Sequence, residues 1–203
     1  MESINRVSKR YALLLGFSGW FVFFSFLLRI VFLFWQLSEI DITVFNLLKI
    51  LSFGLLFDIG VLSFLFVIST LYILLVPKKY IGSIVDKIFI YFGFLVTLLI
   101  FVFTFFAEIT FWEEFKCRFN FVAVDYLIYT FEVVQNIHES YPLYILIPSM
   151  LIITGIIYFY FVKNDFFNKT FTTKISFKNR ILPFVLSLTV MLFYVFFVSN
   201  SNA

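Results

Sequence analysis

Charged side chains are scarce in this sequence, so those that fall inside long apolar runs are the first candidates for chemistry. Arg29 interrupts the run from Tyr11 to Trp35, and Asp58 interrupts the run from about Ile50 to Val76. An ionisable group within a bilayer-length run is costly and faces a partner or a water-filled cavity. Counted along an outgoing and then a returning helix at 1.5 Å per residue, both lie about 7 to 9 Å outside the midplane. Equal depth on sequential helices suits an ion pair that locks the first two spans together; the functional alternative is a polar path for a proton or substrate. His138 and Ser140 lie close together, but no nucleophile elbow accompanies them and near neighbours on a helix point apart, so a hydrogen-bonding surface role is expected. Cys117 is the sole cysteine, which excludes an intramolecular disulfide. With a single histidine as well, a zinc site within this chain is improbable.

A second set of polar residues lies between Phe111 and Pro142, where the sequence is neither a plain loop nor a span. Glu114, Arg118, Asp125, Glu132 and Glu139 follow one another at spacings of 4, 7, 7 and 7 residues. On a helix turning 100° per residue these spacings form one slowly drifting polar stripe. The reading is an amphipathic helix on or within the outer leaflet, with Glu114 and Arg118 paired. Its role is a brace over the bundle, or a surface for lipid or a neighbouring domain.

The elements that position these residues follow from composition. Of 203 residues 63% are hydrophobic and 13% charged, and mean hydropathy is +1.05. A soluble domain needs roughly a quarter of its residues charged, so this is an integral membrane protein. Five apolar runs are long enough to span a bilayer: about 11–35, 50–76, 84–107, 144–162 and 181–198. The expected fold is all-α, a single membrane domain over 1–203 with about five transmembrane helices and an interfacial amphipathic segment at 111–142 between spans three and four. The 34 phenylalanines against 7 glycines suggest packing by bulky aromatics rather than by close small-residue crossings.

Orientation follows from the loop cations. Arg6, Lys9, Arg10, Lys78, Lys79, Lys87, Lys163, Lys169, Lys174, Lys178 and Arg180 fall on one side. Lys116 and Arg118 fall on the other, with Glu39, Asp41, Glu108, Glu113, Glu114, Asp125, Glu132 and Glu139. The asymmetry puts the N-terminus in the cytoplasm and the C-terminus outside. The net charge of +3 is a loop asymmetry rather than a basic patch for nucleic acid, so no nucleic-acid partner is expected.

With this layout go the Phe57-Asp58 pair, Glu114-Phe115, the run Arg118-Phe119-Asn120-Phe121-Val122-Ala123-Val124-Asp125-Tyr126-Leu127, then Asn136-Ile137 and Glu139-Ser140-Tyr141-Pro142. The combination resembles the N-terminal membrane domain of the lipoteichoic acid synthase-like phosphoglycerol transferases, within the alkaline phosphatase and sulfatase superfamily. The resemblance covers the whole chain and is most specific between Arg118 and Pro142.

It implies a bacterial plasma (inner) membrane location and a membrane anchor for an extracytoplasmic catalytic domain. In that domain a threonine nucleophile and a divalent metal, often manganese, transfer a phosphoglycerol-type headgroup from a lipid. The sequence ends at Ala203, where that domain is expected to begin, so no catalytic residue, metal ligand or cofactor is carried over to this chain. The partners implied are membrane phospholipid and the downstream domain. Glu114, Arg118, Asn120, Asp125, Tyr126, Glu132 and Asn136 are the residues expected to position lipid or that domain. The rival expectation is a stand-alone transport or scaffold protein using Arg29 and Asp58.

Overall fold

The computed structural model describes residues 7–37, 43–118 and 141–198, and every regular element among them is helical. In chain order these are α1 (Ala12–Trp35), α2 (Val44–Leu75), a 3-10 turn (Lys78–Tyr80), α3 (Ile84–Phe115), α4 (Leu143–Lys163), α5 (Phe166–Thr172) and α6 (Lys178–Phe193), the last continued by a π-helical segment, Tyr194–Val198. Five of the helices are long and apolar enough to cross a membrane, with α6 and its π-helical continuation counted as one. In lipid this is the expected solution, because a helix satisfies its own backbone donors and acceptors where no water can.

Two boundaries and one connection differ from those read in the sequence. α2 starts at Val44 rather than near Ile50, because Thr43 caps it: the Thr43 hydroxyl accepts from the Asn46 N–H at 3.2 Å. Lys49 therefore lies within the helix, on an exposed face. α3 runs past Ala107 to Phe115, carrying Glu108, Glu113 and Glu114 as helical residues, and stops where Lys116 takes a left-handed φ of 53°. The basic stretch expected to be a plain loop after α4 contains α5, which buries Phe167, Thr170 and Phe171. The amphipathic helix expected through 111–142 lies mostly outside the described residues.

The described residues group into two compact units. One comprises the chain up to Asp86 together with everything from Asp165 onward; the other runs from Lys87 to Asn164.

In the first unit α2 packs mainly on α6 and also on α1, while α1 meets α5. Tyr11, Leu14, Ile73 and Ile175 form a core cluster, with Val7, Leu65, Phe66 and Tyr72 packed against it. The crossings carry small and polar residues. Thr70 and Ser187 bring their hydroxyls to 3.0 Å across α2 and α6. A side chain on Gly60 would strike the Tyr194 ring, which stands edge-on to Phe57 and Phe64 at 6.3 and 6.5 Å between centroids. The aromatics thus supply bulk while glycine, serine and threonine supply the close approach, an arrangement common between helices in lipid.

In the second unit Phe94 of α3 packs on Phe161 of α4 at 4.9 Å and on Tyr158 at 6.1 Å, with Phe161 fully buried. Across both units large apolar side chains point outward, as at Ile68, Phe92, Phe159 and Phe197, whereas Ser25, Arg29, Asp58, Ser63 and Thr70 are buried. This distribution, the inverse of that in a soluble protein, fits a lipid solvent.

Candidate functional site

Arg29 on α1 and Asp58 on α2 meet inside the first unit, Arg29 Nη2 lying 2.6 Å from Asp58 Oδ2 with both side chains about 5% exposed. The contact is part of a small buried network. Ser25, one turn before Arg29, donates its hydroxyl to Asp58 Oδ1 at 2.7 Å, and Arg29 Nη2 donates to Ser25 Oγ at 3.0 Å and to the Gly54 carbonyl at 2.7 Å. Gly54 makes room for this arrangement, since a Cβ at that position would overlap the guanidinium where it now lies. Each partner follows from helix geometry: residues 25 and 29 share a face of α1, and residues 54 and 58 share a face of α2. A charged pair held by a hydroxyl and a carbonyl holds two helices together.

A second buried network lies at the end of this unit where α1 begins and α2 ends. Asp86 accepts from the Tyr72 hydroxyl at 2.8 Å and from the Gly82 N–H at 2.7 Å, and faces Arg10 Nη2 at 3.7 Å. Gly82 holds a positive φ of 78°, and a Cβ there would come within 3.0 Å of the Phe171 carbonyl oxygen. Arg10, fully buried, donates to the Thr170 carbonyl at 2.6 Å. Arg180 donates to the Ile73 and Val76 carbonyls at 3.1 and 2.5 Å and to the Ile175 carbonyl at 3.0 Å. A cation thus caps the carbonyl end of α2 and ties α6 to it.

Burial lowers the Arg10 pKa, an effect opposed by the Asp86 charge and reinforced by Arg180. Burial likewise pushes the Tyr11 phenol up to about 12, against the opposing charges of Arg10 and Arg180. Sequence reading counted Arg10 and Arg180 among loop cations and did not single out Asp86. The available signal was Asp86 itself, a carboxylate in an otherwise basic connection four residues after a glycine.

The acidic end of the second unit presents a third arrangement. Arg118 grips Glu108 with both arms of its fork, Nε at 2.9 Å and Nη2 at 2.7 Å from Oε1, with Nη2 also 2.7 Å from Oε2. This corrects the expected pairing of Arg118 with Glu114. α3 ends at Phe115, so residues 114 and 118 are not successive turns of one helix, and the reversal at Lys116 sends Arg118 back along α3 to the largely buried Glu108. Tyr141 returns to the same end, its hydroxyl 3.5 Å from Glu113. Burial first, then the Glu113 and Glu114 charges, raise the Tyr141 pKa. Glu114 is exposed on the last turn of α3. Asn120, Asp125, Tyr126, Glu132 and Asn136, together with His138, lie outside the described residues.

No group of three His, Cys, Asp or Glu among the described residues stands close enough to hold a metal ion. Thr104 and Thr110 donate to the carbonyls of their own helix at 2.8 and 3.0 Å. Comparison with protein-family models, with curated proteins and with solved structures finds no match for the sequence.

Proposed function

We propose that this chain is the membrane domain of a lipoteichoic acid synthase-like phosphoglycerol transferase in a bacterial plasma membrane. Its N-terminus is cytoplasmic, its C-terminus extracytoplasmic, and the catalytic chemistry belongs to an extracytoplasmic domain that follows it. The observation that carries the reading is the run from Arg118 to Pro142, attached to an apolar five-helix chain at its acid-rich end. Further support comes from the bidentate grip of Arg118 on Glu108, which gives that run a fixed point of departure from α3.

A headgroup transferase meets its lipid at the membrane surface, and tethering the two raises their effective concentration without any new contact. In this reading Glu114, Arg118, Asn120, Asp125, Tyr126, Glu132 and Asn136 position the lipid headgroup or the catalytic domain, and Arg29 with Asp58 hold the first two spans together. An antibody against residues 163–180 should detect an endogenous product much larger than 24.1 kDa. In that full-length protein, Arg118→Ala combined with Asp125→Ala should lower phosphoglycerol transfer from phosphatidylglycerol by about tenfold or more, since one unmatched charged contact is worth that much. Membrane insertion should be unchanged. Transfer at the unsubstituted rate would refute the positioning role, and a product ending at 24.1 kDa would favour a stand-alone scaffold or transporter.

A further inference from the structure

The end of the first unit built around Arg10, Asp86 and Arg180 exposes Lys9, Lys78, Lys79, Lys169, Lys174 and Lys178. These lysines share one end because each lies beside a group bonded to a buried arginine. Lys9 precedes Arg10, and Lys169 precedes Thr170, whose carbonyl Arg10 holds. Lys78 and Lys79 follow Val76, and Lys174 precedes Ile175, both of whose carbonyls Arg180 holds; Lys178 is two residues before Arg180. The carboxylates described in this end are Asp86, already engaged by Tyr72, Gly82 and Arg10, and Asp165, which accepts from Asn168 at 3.0 Å. The cluster inside is unbalanced as well: of its two guanidiniums only that of Arg10 faces the carboxylate of Asp86, Arg180 is held by backbone carbonyls, and Arg10 Nε finds no acceptor among the described residues.

Aromatic side chains complete the surface. Lys79 lies 4.8 Å over the Tyr80 ring and Lys169 5.3 Å over the Phe166 ring, while Tyr80 and Phe177 are more than half exposed or close to it. An amphipathic ring such as that of Tyr80 beside lysines at the end of an apolar helix marks the headgroup level of a bilayer.

We infer that this basic end is a docking surface for anionic phospholipid headgroups, with α5 and the Lys78–Tyr80 turn lying among them. Lipid phosphates supply the negative charge that the protein leaves out. Lysines close to an anionic leaflet each gain from its surface potential, and the same layer of charge lowers the cost of burying the second guanidinium without a carboxylate of its own. Apolar faces flank this end on every long helix of the unit, so a lipid whose chains lie along them brings its headgroup to the lysines. The inference stands on charge placement and is independent of the transferase reading.

The test uses the whole purified chain in nanodiscs of phosphatidylcholine containing a trace of spin-labelled phosphatidylserine, a headgroup without glycerol and so remote from any phosphoglycerol donor site. The label reports association relative to spin-labelled phosphatidylcholine. Selectivity for phosphatidylserine should be several-fold and should fall as salt is added, because the lysines are exposed to screening. Replacing Lys78, Lys79, Lys174 and Lys178 together by Gln should reduce that selectivity by about fivefold or more, replacing the same four by Arg should retain it, and Lys116→Gln, at the acidic end, should leave it unchanged. Should the Gln variant not fold, the salt titration of the unsubstituted chain reads the same contribution. Selectivity that is absent, indifferent to salt, or equally reduced by Lys116→Gln overturns the inference. Thermal stabilisation by inorganic phosphate equal to that by phosphatidylserine overturns it too, in favour of a free anion.

Discussion

Arg29 and Asp58 are the residues for which depth alone was informative, because counting along two apolar runs puts both charges at one level. Depth does not say which way a side chain points. The sharing of Ser25 and the Gly54 carbonyl depends on how α1 and α2 rotate against each other, and that follows from packing. Breaking a buried pair leaves one uncompensated charge, while removing both leaves none. Arg29→Ala and Asp58→Ala should therefore each cost about 3 kcal/mol or more, and the double substitution should cost less than either alone, in detergent-titrated unfolding of the purified chain. Simple addition of the two losses would argue against coupling. Arg118 teaches the opposite lesson: a spacing of four residues suggested Glu114, and one left-handed residue, Lys116, redirected the side chain to Glu108. Sequence spacing predicts a partner as long as the helix persists between the two.

At the level of elements, the five long helices were legible because apolar length is a property of the sequence, and their ends were legible to within a few residues where proline or paired lysines close a run. α5 was not, since seven residues in a polar stretch have no periodic pattern to distinguish them. What forms it is burial of Phe167 and Phe171 in the first unit and the grip of Arg10 on its Thr170 carbonyl. The α2–α6 crossing likewise depends on fit, with the Tyr194 ring occupying the space left by Gly60. Gly60→Ala should destabilise the protein by about 1 to 3 kcal/mol, the usual range for overpacking. The same change should cost distinctly less in a Tyr194→Ala background, where the ring is gone. An equal cost in both backgrounds, measured by thermal unfolding in micelles, would place the effect elsewhere.

For the molecule as a whole, charge asymmetry is the main guide. Cations at one set of helix ends and acids at the other give the proposed orientation, with Cys117 outside. A membrane-impermeant maleimide added to intact cells, with the outer envelope opened where there is one, should label Cys117, which is partly accessible at the end of α3. A cysteine introduced as Lys79→Cys in a Cys117→Ser background should be labelled only after the plasma membrane is permeabilised. Labelling in the reverse sense would invert the orientation and with it the transferase reading. The charge asymmetry is also less simple than it looks from the loops, since Arg10 and Arg180, two of the cations that define it, are buried in the fold.

The sequence by itself determined the solvent, the number of spans and the two intramembrane charges. Each of these is a sum over neighbouring residues, whether of apolar length, of charge or of helical rise, and needs no knowledge of what lies across a helix boundary. The tertiary structure decided which charges are structural and which face outward, that Arg180 caps α2, that Asp86 gathers Tyr72, Gly82 and Arg10, and that Gly54 and Gly60 make room for an arginine and a tyrosine. Such contacts join distant residues, as in the bond from Arg10 to the Thr170 carbonyl 160 positions away. They arise because a polar group withdrawn from water must find a partner, and the one it finds is set by which helices pack together.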